Sequence, residues 1–291
     1  MNALGPGEIR ARRRPGLVLG VASLRLLFGF FLAWPLSSLL AASGVGLRPE
    51  GDRLLFEGGG YLLLDVLRLR GAELEAVARG LLPVLGLGLL LTAACNAALL
   101  VGLNQAPEAP LRGRLRLREL RELLARASEH VPALVVLGVG TALAQLLLIL
   151  GGSIAVAAVP ESLAEPVKST LAQLAIWFLA AVAAGGVGGF SDLVKASLVR
   201  HESRLVEALS RAWQCLLRRP VRASFGWIPY ALVFLLVALL ATQLSQLIDV
   251  SRPGAWRVWL VFAVHQLVVV TSVAARSAWY ARALRVVATE A

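Results

Sequence analysis

Ionisable and amide side chains are scarce within the long apolar stretches of this 291-residue chain, and a bilayer makes each of them expensive to bury. The ionisable ones are Arg25, His265 and Arg276; the amides are Asn96, Gln145, Gln173, Gln243, Gln246 and Gln266. His265, Ser272 and Arg276 follow at i, i+7 and i+11, a spacing that sets them on one helix face. Gln266 lies beside His265 near mid-depth, and Gln145 reaches a similar depth from another stretch. Such a stripe could line a cavity or a path for a polar substrate. The plainer reading weighs more: a neutral histidine hydrogen-bonded to a neighbouring helix, worth about 0.6–2 kcal/mol as interhelical glue. Arg25 and Arg276 fall near the cytoplasmic interface, where a long side chain can extend to the headgroups. No aspartate or glutamate sits in the middle of any span. That argues against a proton- or sodium-driven transporter and leaves a passive or amide-lined route open.

Enzyme chemistry finds no foothold. The chain has no HExxH, no GxSxG and no paired carboxylates within a span. His130, His201 and His265 are far apart in sequence and in depth, and Cys95 and Cys215 offer neither a metal spacing nor a structural disulfide. Gly58-Gly59-Gly60 could converge backbone N–H groups on an anion, yet it lacks the Lys-Ser/Thr of a phosphate loop, and a turn is the better reading. No catalytic residue, cofactor or metal is expected. Nucleic acid is not expected either, because the basic residues border apolar spans without an aromatic stacking platform.

The elements that must position these residues are membrane helices. Hydrophobic residues make up 58% and charged residues 16% of the chain, with a mean hydropathy of +0.74, against about 45–50% and about 25% in soluble domains. A span needs about 20 mostly apolar residues, and six stretches qualify: 17–43, 81–103, 131–157, 169–189, 223–247 and 256–280. The expected fold is therefore all-α, a single polytopic membrane domain over 1–291 with six transmembrane helices plus amphipathic interfacial helices. Net charge is +11. With the N-terminus inside, twenty of the 29 lysines and arginines fall on the cytoplasmic side, eight fall outside and Arg25 lies within the first span. Positive residues resist translocation, so this alternation places both termini in the cytoplasm of a bacterial-type inner membrane. Trp256 and Trp259 open the last span, and Trp279 and Tyr280 close it, as interfacial aromatic residues should. Pro15, Pro132 and Pro220 each precede an outward-going span, an echo of three helical hairpins that have proline in the first helical turn.

Three further segments carry helical amphipathic spacing: 60–79 outside, and 113–128 and 191–217 inside. Arg204, Arg211, Arg218 and Arg219 of the last are candidate contacts for anionic lipid headgroups. A surface that docks a protein partner or builds a homo-oligomer is the less favoured use. The residues 191–220, SDLVKASLVRHESRLVEALSRAWQCLLRRP, run straight into a span. In this the layout resembles a diffuse group of bacterial six-helix proteins related to the membrane domain of glycerophosphodiester phosphodiesterases. The resemblance implies a membrane-embedded accessory role. The phosphodiesterase catalytic domain has no counterpart here, so no catalytic residue carries over. The reading that follows is a non-enzymatic membrane protein contacting lipid or a partner complex, with a small transporter or channel around His265 and Gln145 as the alternative.

Tags at residues 55 and 205 should report opposite faces of the membrane in a labelling assay with an impermeant reagent; labelling of both from one side would break the six-span topology.

Overall fold

The computed structural model describes residues 8, 9, 11, 14–42, 71–105, 117–159, 166–247 and 255–289. Among the described residues there are eight helices and no β-strand. They are α1 (Pro15–Ala42), α2 (Gly71–Asn104), α3 (Leu117–Ala157), α4 (Pro166–His201), α5 (Leu205–Arg218), α6 (Pro220–Ser224), α7 (Ile228–Leu247) and α8 (Ala255–Ala288). In lipid a backbone amide finds no water, so each apolar run closes its hydrogen bonds within itself and becomes a helix. Among the described residues five stretches are long and apolar enough to cross: Gly86–Asn104, Glu119–Ala157, Lys168–His201, Pro220–Ser245 and Trp259–Ala288. The backbone of α1 covers the first expected span, and its described side chains, Pro15–Phe31, form an apolar stretch. Gly58-Gly59-Gly60 and 60–70 lie outside the described residues.

Several helices outrun the spans expected of them. At about 1.5 Å per residue the 41 residues of α3 reach about 60 Å, twice a hydrocarbon layer of about 30 Å. The amphipathic segment 113–128 is not separate: from Leu117 it shares one helix with the span, and Pro132 sits inside that helix rather than in its first turn. Pro15 and Pro220 do begin helices. The fourth span likewise continues past residue 189 to His201, so 191–201 belongs to α4 and the amphipathic helix proper begins at Leu205. The break comes where Glu202 takes a left-handed φ of 48° and Arg204 is extended. Only a tight reversal of that kind lets α5 leave α4 within three residues.

The described chain forms two compact units. One comprises Met1–Gly16, Thr92–Tyr230 and Arg276–Ala291, and the other comprises Leu17–Leu91 and Ala231–Ala275. The first unit holds most of the buried side chains. The ends of α2 (Leu99, Leu100, Leu103), α4 (Leu193, Val194, Leu198) and α8 (Tyr280, Leu284, Val287) are almost fully buried. Higher up α3 and α4 the pattern inverts: Leu147, Ile154, Phe178 and Leu179 are 65–71% exposed. Water would not tolerate so much bare apolar surface, whereas lipid does. In the second unit, the Phe28 ring lies where a Cβ on Gly88 would sit.

The glycines of α4 do not receive a helix backbone. Gly185 and Gly189, one turn apart, seat the indole of Trp227 from the α6–α7 turn, and a Cβ on Gly188 would stand 3.0 Å from the Gln145 amide nitrogen. A Cβ on Gly189 would stand 2.5 Å from Trp227 Cδ1. Gly189→Ala should therefore cost about 1–3 kcal/mol through overpacking. In a Trp227→Ala background most of that penalty should vanish in detergent melting curves; an unchanged penalty would remove Trp227 from the explanation.

Candidate functional site

Asp192 is the polar centre of the first unit. It follows the glycine stretch on α4, three residues beyond where the fourth span was expected to end, and only 7% of it is exposed. Lys195 stands one turn on, on the same face, with its ammonium 2.7 Å from Oδ1. From α8, Arg276, Trp279 and Tyr280 sit at i, i+3 and i+4 and so present one edge to that carboxylate. Arg276 approaches Oδ1 at 3.3 Å, Trp279 Nε1 donates to Oδ2 at 3.2 Å and the Tyr280 hydroxyl donates to Oδ1 at 3.4 Å. Arg276 Nε also donates to the Tyr280 oxygen at 3.0 Å, and its guanidinium lies 5.4 Å from the centre of that ring.

A carboxylate accepts about four hydrogen bonds, and four donors are present. Three of them fall on Oδ1 and one on Oδ2, and together they clip α4 to α8. The cluster's formal charge is one carboxylate against two cations, and the surplus lies with Arg276, whose side chain is 36% exposed.

The expected sites fare differently. Arg276 is not simply extended towards headgroups; it holds Asp192. Trp279 and Tyr280 are 3% and 0% exposed, so they are core residues bonded to Asp192 rather than interfacial rings, while Trp256 and Trp259 do stay exposed. The His265–Ser272–Arg276 face exists on α8, but the three are not joined. His265 Nδ1 meets the Val261 carbonyl at 2.9 Å and Ser272 donates to Val269 O at 2.7 Å, each within its own helix. Gln266 is half-buried. Gln145 donates to Ala184 O of α4 at 2.9 Å, and Thr141 pairs with Ser191 at 2.7 Å, so α3 and α4 are stitched by hydroxyl and amide groups. Asp192 lies towards the C-terminal end of the long apolar Lys168–His201 stretch.

No family model, curated protein or solved structure matches the chain. Functional inference therefore rests on its own side chains. Besides the Asp192 cluster, charged side chains of the first unit line a smaller and a larger hollow. The smaller, of about 180 Å³, is lined by Asn104, Arg126, Glu129, His130, Arg200 and Glu202 among others, and Arg200 donates to Asn104 Oδ1 across it at 2.7 Å. Among the described residues no group of histidine, cysteine and carboxylate side chains could hold a metal. At its edge Arg14 donates to Gln105 O at 3.1 Å; burial lowers the proton affinity of that guanidinium and Glu119 opposes the shift. The larger hollow, of about 400 Å³, is lined by Arg219, Arg222, Arg282 and Arg285 with Tyr230, Val286 and Thr289. Arg219 was expected to meet headgroups; the other three arginines had only been counted as topological charge.

Removing the carboxylate from the cluster should be far worse than removing a cation. Asp192→Asn leaves Lys195 buried without its counter-ion and should cost about 3–5 kcal/mol, whereas Lys195→Met leaves Asp192 still held by Arg276, Trp279 and Tyr280. Detergent melting of both variants tests the order; equal losses would refute the shared-carboxylate reading.

Proposed function

We propose that this protein is a non-enzymatic, six-span protein of a bacterial inner membrane, both ends cytoplasmic, that acts as an accessory or organising subunit by gathering anionic lipid at its cytoplasmic face. The observation that carries the reading is the three-sided character of α5. Ala208, Ala212 and Cys215 are buried, so small side chains bring the helix close to its neighbours. Val206, Leu209, Trp213 and Leu217, at i, i+3, i+7 and i+11, are 46–77% exposed and form a bare apolar stripe. Arg204, Arg211 and Arg218 recur every seven residues and form a basic row.

A helix this short with such a stripe lies in the interfacial plane, apolar side down. At about 100° per residue the basic row lies about 160° round the axis from the stripe, so it faces water. A helix about 10 Å across keeps that row within about one Debye length of the headgroups. Each arginine there contributes up to about 1 kcal/mol of attraction to an anionic leaflet. Asp192 bonded across to α8, His265 bonded within its own helix and Gln145 bonded across to α4 favour an organising role over a conducting one.

Purified from native membrane, the protein should carry anionic phospholipid enriched over the bulk composition. Leu209→Asp/Leu217→Asp, which lifts the stripe from the bilayer, should lower that enrichment. Bulk-like lipid in the unaltered protein would defeat the proposal.

A further inference from the structure

The smaller hollow of the first unit forms where three helices meet. Asn104 closes α2, and Arg126, Glu129 and His130 stand at i, i+3 and i+4 on one face of α3. Arg200 and Glu202 come from the end of α4 and the break after it. We infer that this hollow is a binding site for a compact zwitterion, a molecule that holds an acid group and a protonated amine a few bonds apart. The inference goes beyond the lipid-gathering reading, and the hollow shares no residue with α5.

The walls offer charge of both signs. Arg126 and Arg200 bring two guanidinium groups, and Glu129 and Glu202 bring two carboxylates. A simple anion entering the hollow meets both carboxylates, and a simple cation meets both guanidinium groups. A molecule carrying the two signs is attracted at each end. Arg200 gives one N–H to Asn104 Oδ1 at 2.7 Å, and both glutamates act electrostatically on His130. A guanidinium has five N–H donors, so Arg200 keeps others for an acid group. A carboxylate accepts about four hydrogen bonds, which suits an ammonium with three N–H groups to give.

The seat is held from below. Asn104 is only 8% exposed, and with its oxygen taken by Arg200 its amide still has two N–H groups to offer. Arg14 donates to Gln105 O at 3.1 Å and pins the next residue of the chain. Glu202 has a φ of 48°, a strained conformation for a residue with a side chain, and strain of that kind gathers at binding sites. Here it turns Glu202 off the path of α4. The volume, about 180 Å³, lies below the about 300–1,000 Å³ of clefts for larger ligands and matches about six water molecules at about 30 Å³ each. A small amino acid or the headgroup of an ethanolamine phospholipid brings the required chemistry in that space.

Full-length protein in detergent, titrated with L-alanine or with dihexanoylphosphatidylethanolamine and read by the shift in Tm, tests the site and separates the two sources. A saturable shift with L-alanine alone identifies a free amino acid, and one with the phospholipid alone identifies a headgroup. A shift with both, each competing with the other, identifies the shared chemistry. Half-ligands should bind at least about tenfold more weakly, the worth of one charge-assisted hydrogen bond. They are propionate and ethylamine for the amino acid, and dihexanoylphosphatidylcholine, whose nitrogen has no N–H, for the phospholipid. Arg126→Gln and Glu129→Gln should each weaken the whole probe by a similar factor, with every shift taken from the variant's own unliganded Tm. Arg121→Gln and Glu207→Gln, exposed and outside the hollow, should leave affinity within about twofold. Should Arg126→Gln melt early, Arg126→Lys keeps the charge and should bind better than Glu129→Gln. The proposal fails if neither zwitterion shifts Tm, if a half-ligand binds as well as the whole, or if the variants in the hollow bind no more weakly than those outside it. Failure leaves the lipid-gathering reading standing, because that reading is tested on α5.

Discussion

A carboxylate taken out of water must be answered by donors, and in this chain Asp192 is answered from two helices at once. Lys195 comes from its own helix, while Arg276, Trp279 and Tyr280 come from α8, more than eighty residues further on. Interaction between charges strengthens as the local dielectric falls, and so does the penalty for leaving one unmatched. Neither α4 nor α8 can rotate or slide by a turn without abandoning that carboxylate. The apolar burial of Leu193, Val194, Leu284 and Val287 adds adhesion around the polar knot, but adhesion of that kind is indifferent to register. The carboxylate is what makes the pairing specific.

The basic hollow depends on this arrangement for its shape. Trp279 serves both: its N–H is on Asp192 and its ring carries Tyr230. Register on α8 passes directly from Arg276 to Arg282 and Arg285, because a helix fixes the angle between residues six and nine apart. Positive charge therefore plays three roles at this end of the first unit. Lys195 and Arg276 are structural counter-ions, Arg204, Arg211 and Arg218 form an exposed row, and Arg219, Arg222, Arg282 and Arg285 converge on a cavity. Net charge alone treats them as equivalent.

Much of the helical layout was legible in the residues, since apolar length and a low charge count need no tertiary information. The errors came where tertiary packing overrides local propensity. Gly185, Gly186, Gly188 and Gly189 blur the end of the fourth span, since glycine is a poor helix former, yet the helix runs through them with Trp227 packed on two of the four. Placing the boundary at 189 assigned Asp192 to a separate amphipathic segment and hid the cluster. Asp192 and Lys195 at i, i+3, directly after an apolar run and matched by Arg276 in another span, were the signal that could have revealed it. Trp279 and Tyr280 were misread for a related reason: interfacial placement is a statistical tendency of aromatic rings, and a buried acceptor outweighs it. Pro132 shows the same limit, as neighbouring groups in a bundle compensate the hydrogen bond it cannot make. The pairing of Arg219 and Arg222 with Arg282 and Arg285 is a long-range juxtaposition that no local spacing encodes.

The seat of Trp227 lies on the part of α4 with the weakest helical preference of its own. Four glycines within five residues make the 185–189 turn of α4 poorer in intrinsic helicity than an alanine stretch by about 2–4 kcal/mol, at about 0.5–1 kcal/mol each. That turn does not hold its own conformation; it borrows it from an aromatic ring that arrives about forty residues later in the chain. The indole thus acts as a latch on a stretch whose own residues favour the helix least, three residues before Asp192.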